Sequence, residues 1–216
     1  IRDRSPSRGL GDVYKRQHVC ALKFNFHLLL QLGKKEISRI NKTAHQHGLQ
    51  CIADIKLNDI GNTNLVTTQN LWDLNFDAVI VNPIMGPKSL KNLVENSHKQ
   101  NKGVISLCHM SAPEARISYE LDVIQRNQSK KIPLYQLFLD WAKKNKTDGI
   151  IVGATYPNII KFCKEDNSKL LFTSTSDVYG NSKTFREDDS VEIGPPNVER
   201  YSYAMSKLFD EQLILN

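Results

Sequence analysis

Short runs of β-branched and apolar residues alternate along the chain with longer stretches whose apolar positions recur at helical spacing. The apolar runs fall at 20–26, 50–56, 78–82, 103–108 and 149–153, with a sixth at 170–174. Ala78-Val79-Ile80-Val81 and Gly149-Ile150-Ile151-Val152 are nearly continuous, which suits parallel strands covered on both faces. Helical periods occupy 35–47, 64–74, 87–99, 134–145 and 156–164. Gly48 stands where a helix C-terminus needs a left-handed residue, and Pro87 suits a first helical turn, where its missing N–H has no partner to lose. Repeated strand–helix units predict an α/β fold built on a parallel sheet. No GxGxxG or GxxxxGK[ST] follows any strand, which weighs against a nucleotide-binding open sheet and favours a TIM-type (β/α) barrel.

The pattern divides the chain into 1–17, 18–170 and 171–216. Residues 1–17 have no apolar period and read as a disordered leader. Back-translated, Ser7 to Gln17 resembles the end of a sequencing-library adapter, so the leader is set aside as artefactual. After residue 170 the character changes to a strand and turn at 171–180, an acidic proline-containing loop at 185–196, and a helix at 202–215.

Charge alters this picture little. The net +6 arises from three unequal parts, +3, +7 and −4 in chain order. Lysines such as Lys34, Lys35, Lys130, Lys131, Lys143, Lys144 and Lys146 have no interleaved aromatics to stack bases. A solvated face or an anionic small molecule is therefore favoured over nucleic acid. No apolar run approaches the roughly 20 residues of a membrane span. Cys20, Cys51, Cys108 and Cys163 lie far apart with no CxxC pair, which predicts small buried hydrophobes in a reducing cytosol and no metal site. His45 and His47 read as solvated, and Trp72, Trp141, Tyr135 and Phe138 as packing residues.

The candidate chemistry lies in Asp54-Ile55-Lys56-Leu57-Asn58-Asp59-Ile60-Gly61-Asn62-Thr63. On a strand, Asp54 and Lys56 project to the same side. In a βα barrel the C-terminal ends of the strands face the pocket, so charge placed there after Cys51-Ile52-Ala53 sits in a partly dry site and needs a partner. Lys23, inside the apolar Ala21-Leu22-Lys23-Phe24, could pair with Asp54. A solvated strand end with Lys23 on an edge strand is the plainer reading of the same pattern.

These residues resemble the DxKxxDIxxT signature of the orotidine 5′-phosphate decarboxylase family. Lys23 falls where that family's preceding strand supplies a lysine. Val81-Asn82-Pro83 and Val152-Gly153-Ala154-Thr155 fit its strand ends, and Met110-Ser111-Ala112-Pro113-Glu114-Ala115 resembles its MSxPxA turn. The resemblance implies cofactor-free loss of CO₂ from C6 of orotidine 5′-phosphate, giving UMP. Lys23, Asp54, Lys56 and Asp59 would form the catalytic array, with Lys56 as proton donor. Asp54 would lie near the departing carboxylate, acting either on the ground state or by orienting Lys56. Ser111 would contact the pyrimidine. Asp59, Ile60 and Thr63 would reach a neighbouring subunit's site, implying a cytoplasmic homodimer. The family's first strand, with a ribose-binding aspartate, and its phosphate-binding glycine turn and last strand are not recognisable. An incomplete barrel of poor stability and little activity is therefore expected.

The tail has a resemblance of its own. Thr173-Ser174-Thr175-Ser176-Asp177-Val178-Tyr179-Gly180 and Tyr203-Ala204-Met205-Ser206-Lys207 are similar to an extended short-chain dehydrogenase/reductase. That likeness implies vestigial roles for Thr175, Tyr203 and Lys207. It also supplies the alternative reading, a fragment of an NAD-dependent nucleotide-sugar epimerase or dehydratase.

Overall fold

A computed structural model of the chain describes residues 20–125 and 130–164, and beyond them the single residues 194, 195, 197, 198, 201, 204, 205, 207 and 208. The chain divides into two compact units, 1–153 and 154–216.

The first unit is built on five parallel strands: β1 (Ala21–Asn25), β2 (Gln50–Leu57), β3 (Ala78–Val81), β4 (Gly103–His109) and β7 (Gly149–Val152). Their order across the sheet follows their order in the chain. Such a one-way progression belongs to a βα barrel, whereas a doubly wound sheet reverses direction at a switch point. The result is a half-barrel, in accord with the barrel expected from the strand–helix pattern. Helices α2 (Lys34–Gln46), α3 (Gly61–Asp73) and α4 (Pro87–His98) connect the first four strands. Helix α6 (Leu134–Lys144) leads into β7.

The core lies between the sheet and these helices. Leu22 and Phe24, Cys51 and Ala53, Val79 and Val81, and Val104 turn toward Ile37, Ala44, Leu71, Trp72, Leu90, Leu93 and Val94. Phe76, fully buried, meets Phe24 edge-on with ring centroids 5.7 Å apart. Alternation then sends Lys23, Asn25, Asp54 and Lys56 to the other face of the sheet. Gly48 ends α2 with φ +73°, the left-handed conformation expected of it.

Several short elements were not anticipated. Phe26, expected to close the first strand, instead opens the four-residue helix α1 (Phe26–Leu29). Helix α5 (Ala115–Tyr119) and an antiparallel pair, β5 (Asp122–Ile124) with β6 (Lys131–Pro133), fill the connection after β4. These elements are too short to show a period.

At the N-terminal ends of the strands the same anchor occurs twice. Asp77, just before β3, accepts the Cys51 N–H of β2 at 2.8 Å and pairs with His45 at the end of α2, 2.7 Å away. Asp148, just before β7, accepts the Val104 N–H of β4 at 2.7 Å and pairs with His98 at the end of α4, 3.0 Å away. Each aspartate satisfies a strand-opening donor and ties it to the preceding helix. His45 is exposed, as expected of it, but it is also engaged in this anchor. The cysteine expectation also needs one correction: Cys51, Cys108 and Cys163 are buried, but Cys20 is exposed at the start of β1.

In the second unit, α7 (Pro157–Cys163) buries Ile159 and Cys163. Tyr201, Ala204, Met205, Lys207 and Leu208 are helical, and Tyr201, Ala204 and Lys207 are buried. Thr175 and Tyr203, the other two dehydrogenase-like residues, lie outside the described residues, as does the strand expected at 170–174.

Candidate active site

Strands β1 and β2 pair so that Asn25 lies beside Asp54 and Lys23 beside Ile52. From this register the Lys23 ammonium reaches Asp54 Oδ2 at 2.7 Å. The Lys56 ammonium reaches the other oxygen, Oδ1, at 2.8 Å. Asp54 is 6% exposed, whereas the two lysine side chains are 37% and 42% exposed. A nearly buried carboxylate thus holds two ammoniums whose ends remain open to the face turned away from the helices. Burial opposes ionisation of Asp54, but hydrogen bonds from Lys23 and Lys56, with their charges, outweigh it and hold the carboxyl below the usual carboxylate range. Lys23 also donates to Asn25 Oδ1 at 2.5 Å.

Lys56 departs from regular strand geometry. Its φ is +47°, and the pairing of β2 with β3 shifts register between Ala53 and Leu57. Irregularities of this kind bend a strand and re-aim the side chains beyond them. Here the shifted interval contains the residue whose ammonium returns to its own strand neighbour.

Asp59 stands apart from this array. It is exposed, and its Oδ1 accepts the Ile60 N–H at 2.7 Å. Its backbone is nonetheless fixed: the buried Asn64 carboxamide accepts the Asp59 N–H at 3.0 Å and donates to the Asp59 carbonyl at 2.5 Å. Ile60, 72% exposed, and Thr63, also exposed, follow on this rigid support. Ser111 is exposed in the loop after β4. A Cβ added at Gly153 would lie 2.6 Å from Ser111 N and Cα, so only glycine lets the end of β7 approach this loop so closely.

Sequence reasoning passed over Asn25 and His109. His109 ends β4 fully buried, with Nδ1 2.7 Å from the Met110 carbonyl oxygen. A histidine closing an apolar strand directly before Met110-Ser111 was the available signal.

One group among the described residues has metal-ligand types, His45, Cys51 and Asp77, with ligand atoms within 4.8 Å of one another. The Lys102 ammonium already lies 3.2 Å from Asp77 Oδ1, and Asp77 Oδ2 is taken by His45 and Cys51 N–H. The Cys51 thiol is pushed up to about 11, by burial first and the Asp77 charge second. The trio is an anchor in which both Asp77 oxygens are already taken, one of them by an ammonium. It also stands at the opposite end of β2 from Asp54 and Lys56.

No helix among the described residues is long and apolar enough to cross a membrane. The paired lysines around a buried carboxylate give a locally cationic patch that can stabilise negative charge on a bound molecule and deliver a proton.

Known proteins resemble the chain in sequence and in fold. The chain is 29% identical over 218 residues to the orotidine 5′-phosphate decarboxylase of Pyrococcus furiosus, spanning 93% of this chain and 94% of that protein. It is 30% identical over 142 residues to that of Thermomicrobium roseum, spanning 64% of this chain but only 50% of that protein. The crystal structure of the Methanocaldococcus jannaschii orotidine 5′-monophosphate decarboxylase superposes with a TM-score of 0.57 at 27% identity, covering 76% of this chain and 73% of that one. Its complex with the inhibitor BMP gives the same TM-score at 28% identity over 74% of this chain and 68% of that one. The orotidine 5′-phosphate decarboxylase / HUMPS family profile matches residues 12–184, a stretch that takes in Thr175 of the dehydrogenase-like tail. With that match over most of its length, and with the parallel half-barrel beneath it, the chain belongs to the orotidine 5′-phosphate decarboxylase / HUMPS family.

Proposed function

We propose that this chain decarboxylates orotidine 5′-phosphate to UMP without a cofactor, at the low rate expected of an incomplete barrel. The observation that carries the reading is Asp54, nearly buried and held at 2.7 and 2.8 Å by Lys23 and Lys56. The bond from C6 to the carboxylate breaks, CO₂ departs, and the electron pair stays on C6. That carbanion is poorly delocalised, so an ammonium fixed beside it lowers the barrier and then protonates it. Lys56 is that ammonium. Asp54 lies near the departing carboxylate and holds Lys56 in place, and Lys23 keeps Asp54 ionised. Ser111 contacts the pyrimidine.

Asp59, Ile60 and Thr63 complete the site of a second copy, making the active species a homodimer with isologous contacts. Their exposure on a backbone pinned by Asn64 supports this role. Four cysteines without a disulfide suit a reducing cytosol.

The test is loss of the orotidine 5′-phosphate absorbance with purified chain, and the same assay on Lys56→Ala. Turnover in the first and its collapse in the second support the proposal; equal rates, or none in either, overturn it. Sedimentation with and without UMP tests the dimer. Genomic DNA across codons 17 and 170 tests the adapter-derived leader and the foreign tail. A continuous natural reading frame would remove both.

A further inference from the structure

His109 has no part in the chemistry above, yet its surroundings are those of a placed group. Its ring is fully buried at the end of β4. A buried imidazole is costly unless its nitrogens find partners, and a leucine would fill an apolar strand end at lower cost. Nδ1 lies 2.7 Å from the carbonyl oxygen of Met110, so Nδ1 carries the proton and donates it. On the other side Nε2 faces Glu120 Oε1 at 3.5 Å, and the same oxygen lies 3.9 Å from Arg116 Nε. Tyr119 and Tyr135 flank the ring, with centroids 5.3 and 6.0 Å away. The imidazole is thus flanked by α5 and α6, with the Glu120 carboxylate beside its far nitrogen.

The peptide it grips is the one that leads into Ser111. The end of the neighbouring strand, β7, closes on that same peptide. Gly153 N–H donates to the His109 carbonyl at 2.9 Å, and a Cβ on Gly153 would meet Met110 C at 2.7 Å and Ser111 N at 2.6 Å. The pairing of β4 with β7 shifts register between Leu107 and His109, which turns the strand end toward this clamp.

We infer that His109 is a positioning residue: its Nδ1–H and the bare Cα of Gly153 fix the Met110–Ser111 peptide between them, and so set the Ser111 hydroxyl for the pyrimidine. The inference rests on the decarboxylase reading for the ligand but not for the clamp.

Two substitutions separate positioning from packing. His109→Gln keeps most of the side-chain volume but carries its amide out near the Nε2 position. His109→Asn leaves a void but keeps an N–H donor near the Nδ1 position. If the hydrogen bond to Met110 is what matters, His109→Gln raises KM for orotidine 5′-phosphate by about tenfold, the loss of one hydrogen bond. His109→Asn then stays near the wild-type KM despite a lower melting temperature. The reverse ranking, or equal KM values in all three proteins, overturns the inference. A wild-type chain without decarboxylase activity would count against the proposed function alone, and the clamp is then read in the unliganded protein. The Met110 carbonyl ¹³C resonance should move in His109→Gln and hold its place in His109→Asn; an identical resonance in all three overturns the clamp.

Discussion

Lys56 and Asp54 lie two residues apart on one strand, and their side chains meet at 2.8 Å with the Lys56 backbone in the left-handed region at φ +47°. A regular strand would project both in parallel, about 6–7 Å apart. The backbone carries strain at the residue whose ammonium folds back over the carboxylate. Such conformations recur where geometry has been placed above stability.

That strain can be measured apart from the chemistry. Lys56→Ala and Lys56→Gly both remove the ammonium and should both lower kcat by about 10³-fold. Only glycine accepts the left-handed backbone freely, so Lys56→Gly should be the more stable of the two by about 1 kcal/mol. Urea unfolding of the pair checks this, and equal midpoints would show that the backbone relaxes without it.

Gly153→Ala should damage the opposite wall. Its Cβ would lie 2.6 Å from the Ser111 backbone, a distance no real Cβ contact sustains. Either β7 or the Met110–Ser111 loop must retreat, at a cost of about 1–3 kcal/mol. Thermal melting should register the loss, and KM for orotidine 5′-phosphate should rise with it. An unchanged KM would mean that the loop is not set by β7.

Acid should unfold the first unit through its carboxylates. Asp54 and Asp77 are both held below the usual carboxylate range: burial opposes this, but hydrogen bonds and cationic neighbours prevail. A depressed folded value contributes stability that is fully present above the unfolded value, about 4, and is lost as pH falls through the folded one. Stability should thus hold down to about pH 4 and decline below it. Asp77→Asn should cost about 1–2 kcal/mol at pH 7 and flatten the acid-side slope. Denaturant midpoints across pH 2–7 provide the comparison.

The thiols should divide by accessibility. Cys20 is exposed, whereas Cys51, Cys108 and Cys163 are buried, and the Cys51 thiol is pushed up to about 11. At pH 8 a disulfide reagent should titrate one cysteine quickly and the other three only after denaturation. A second fast thiol would contradict the burial of the three.

Much of this was legible in the chain itself. The five strands of the parallel sheet stand within a residue or so of the runs at 20–26, 50–56, 78–82, 103–108 and 149–153, and β3 and β4, buried on both faces, have the nearly unbroken apolar runs such strands need. Lys23 and Asp54 stood out as charges inside such runs. What stayed hidden depended on geometry that spacing does not encode. Nothing in Asp54-Ile55-Lys56 foretells a left-handed lysine, and α1, α5 and the β5–β6 pair are too short to impose a period. Asp77 and Asp148 each precede a strand by one residue, in Phe76-Asp77-Ala78 and Thr147-Asp148-Gly149, a repeat that pattern-reading could have caught. His109 was passed over because a bond to the next carbonyl and ring contacts with Tyr119 and Tyr135 leave no spacing to read.

Strand β2 fastens to the helices at Cys51, through Asp77 and His45, and carries its reactive groups at Asp54 and Lys56, roughly 10–17 Å further along at the rise of a strand. Anchorage and reactivity thus occupy opposite tips of one ribbon. A protein engineer seeking a hardier catalyst could reinforce the Asp77 end around its existing bonds, several residues away from the reacting tip.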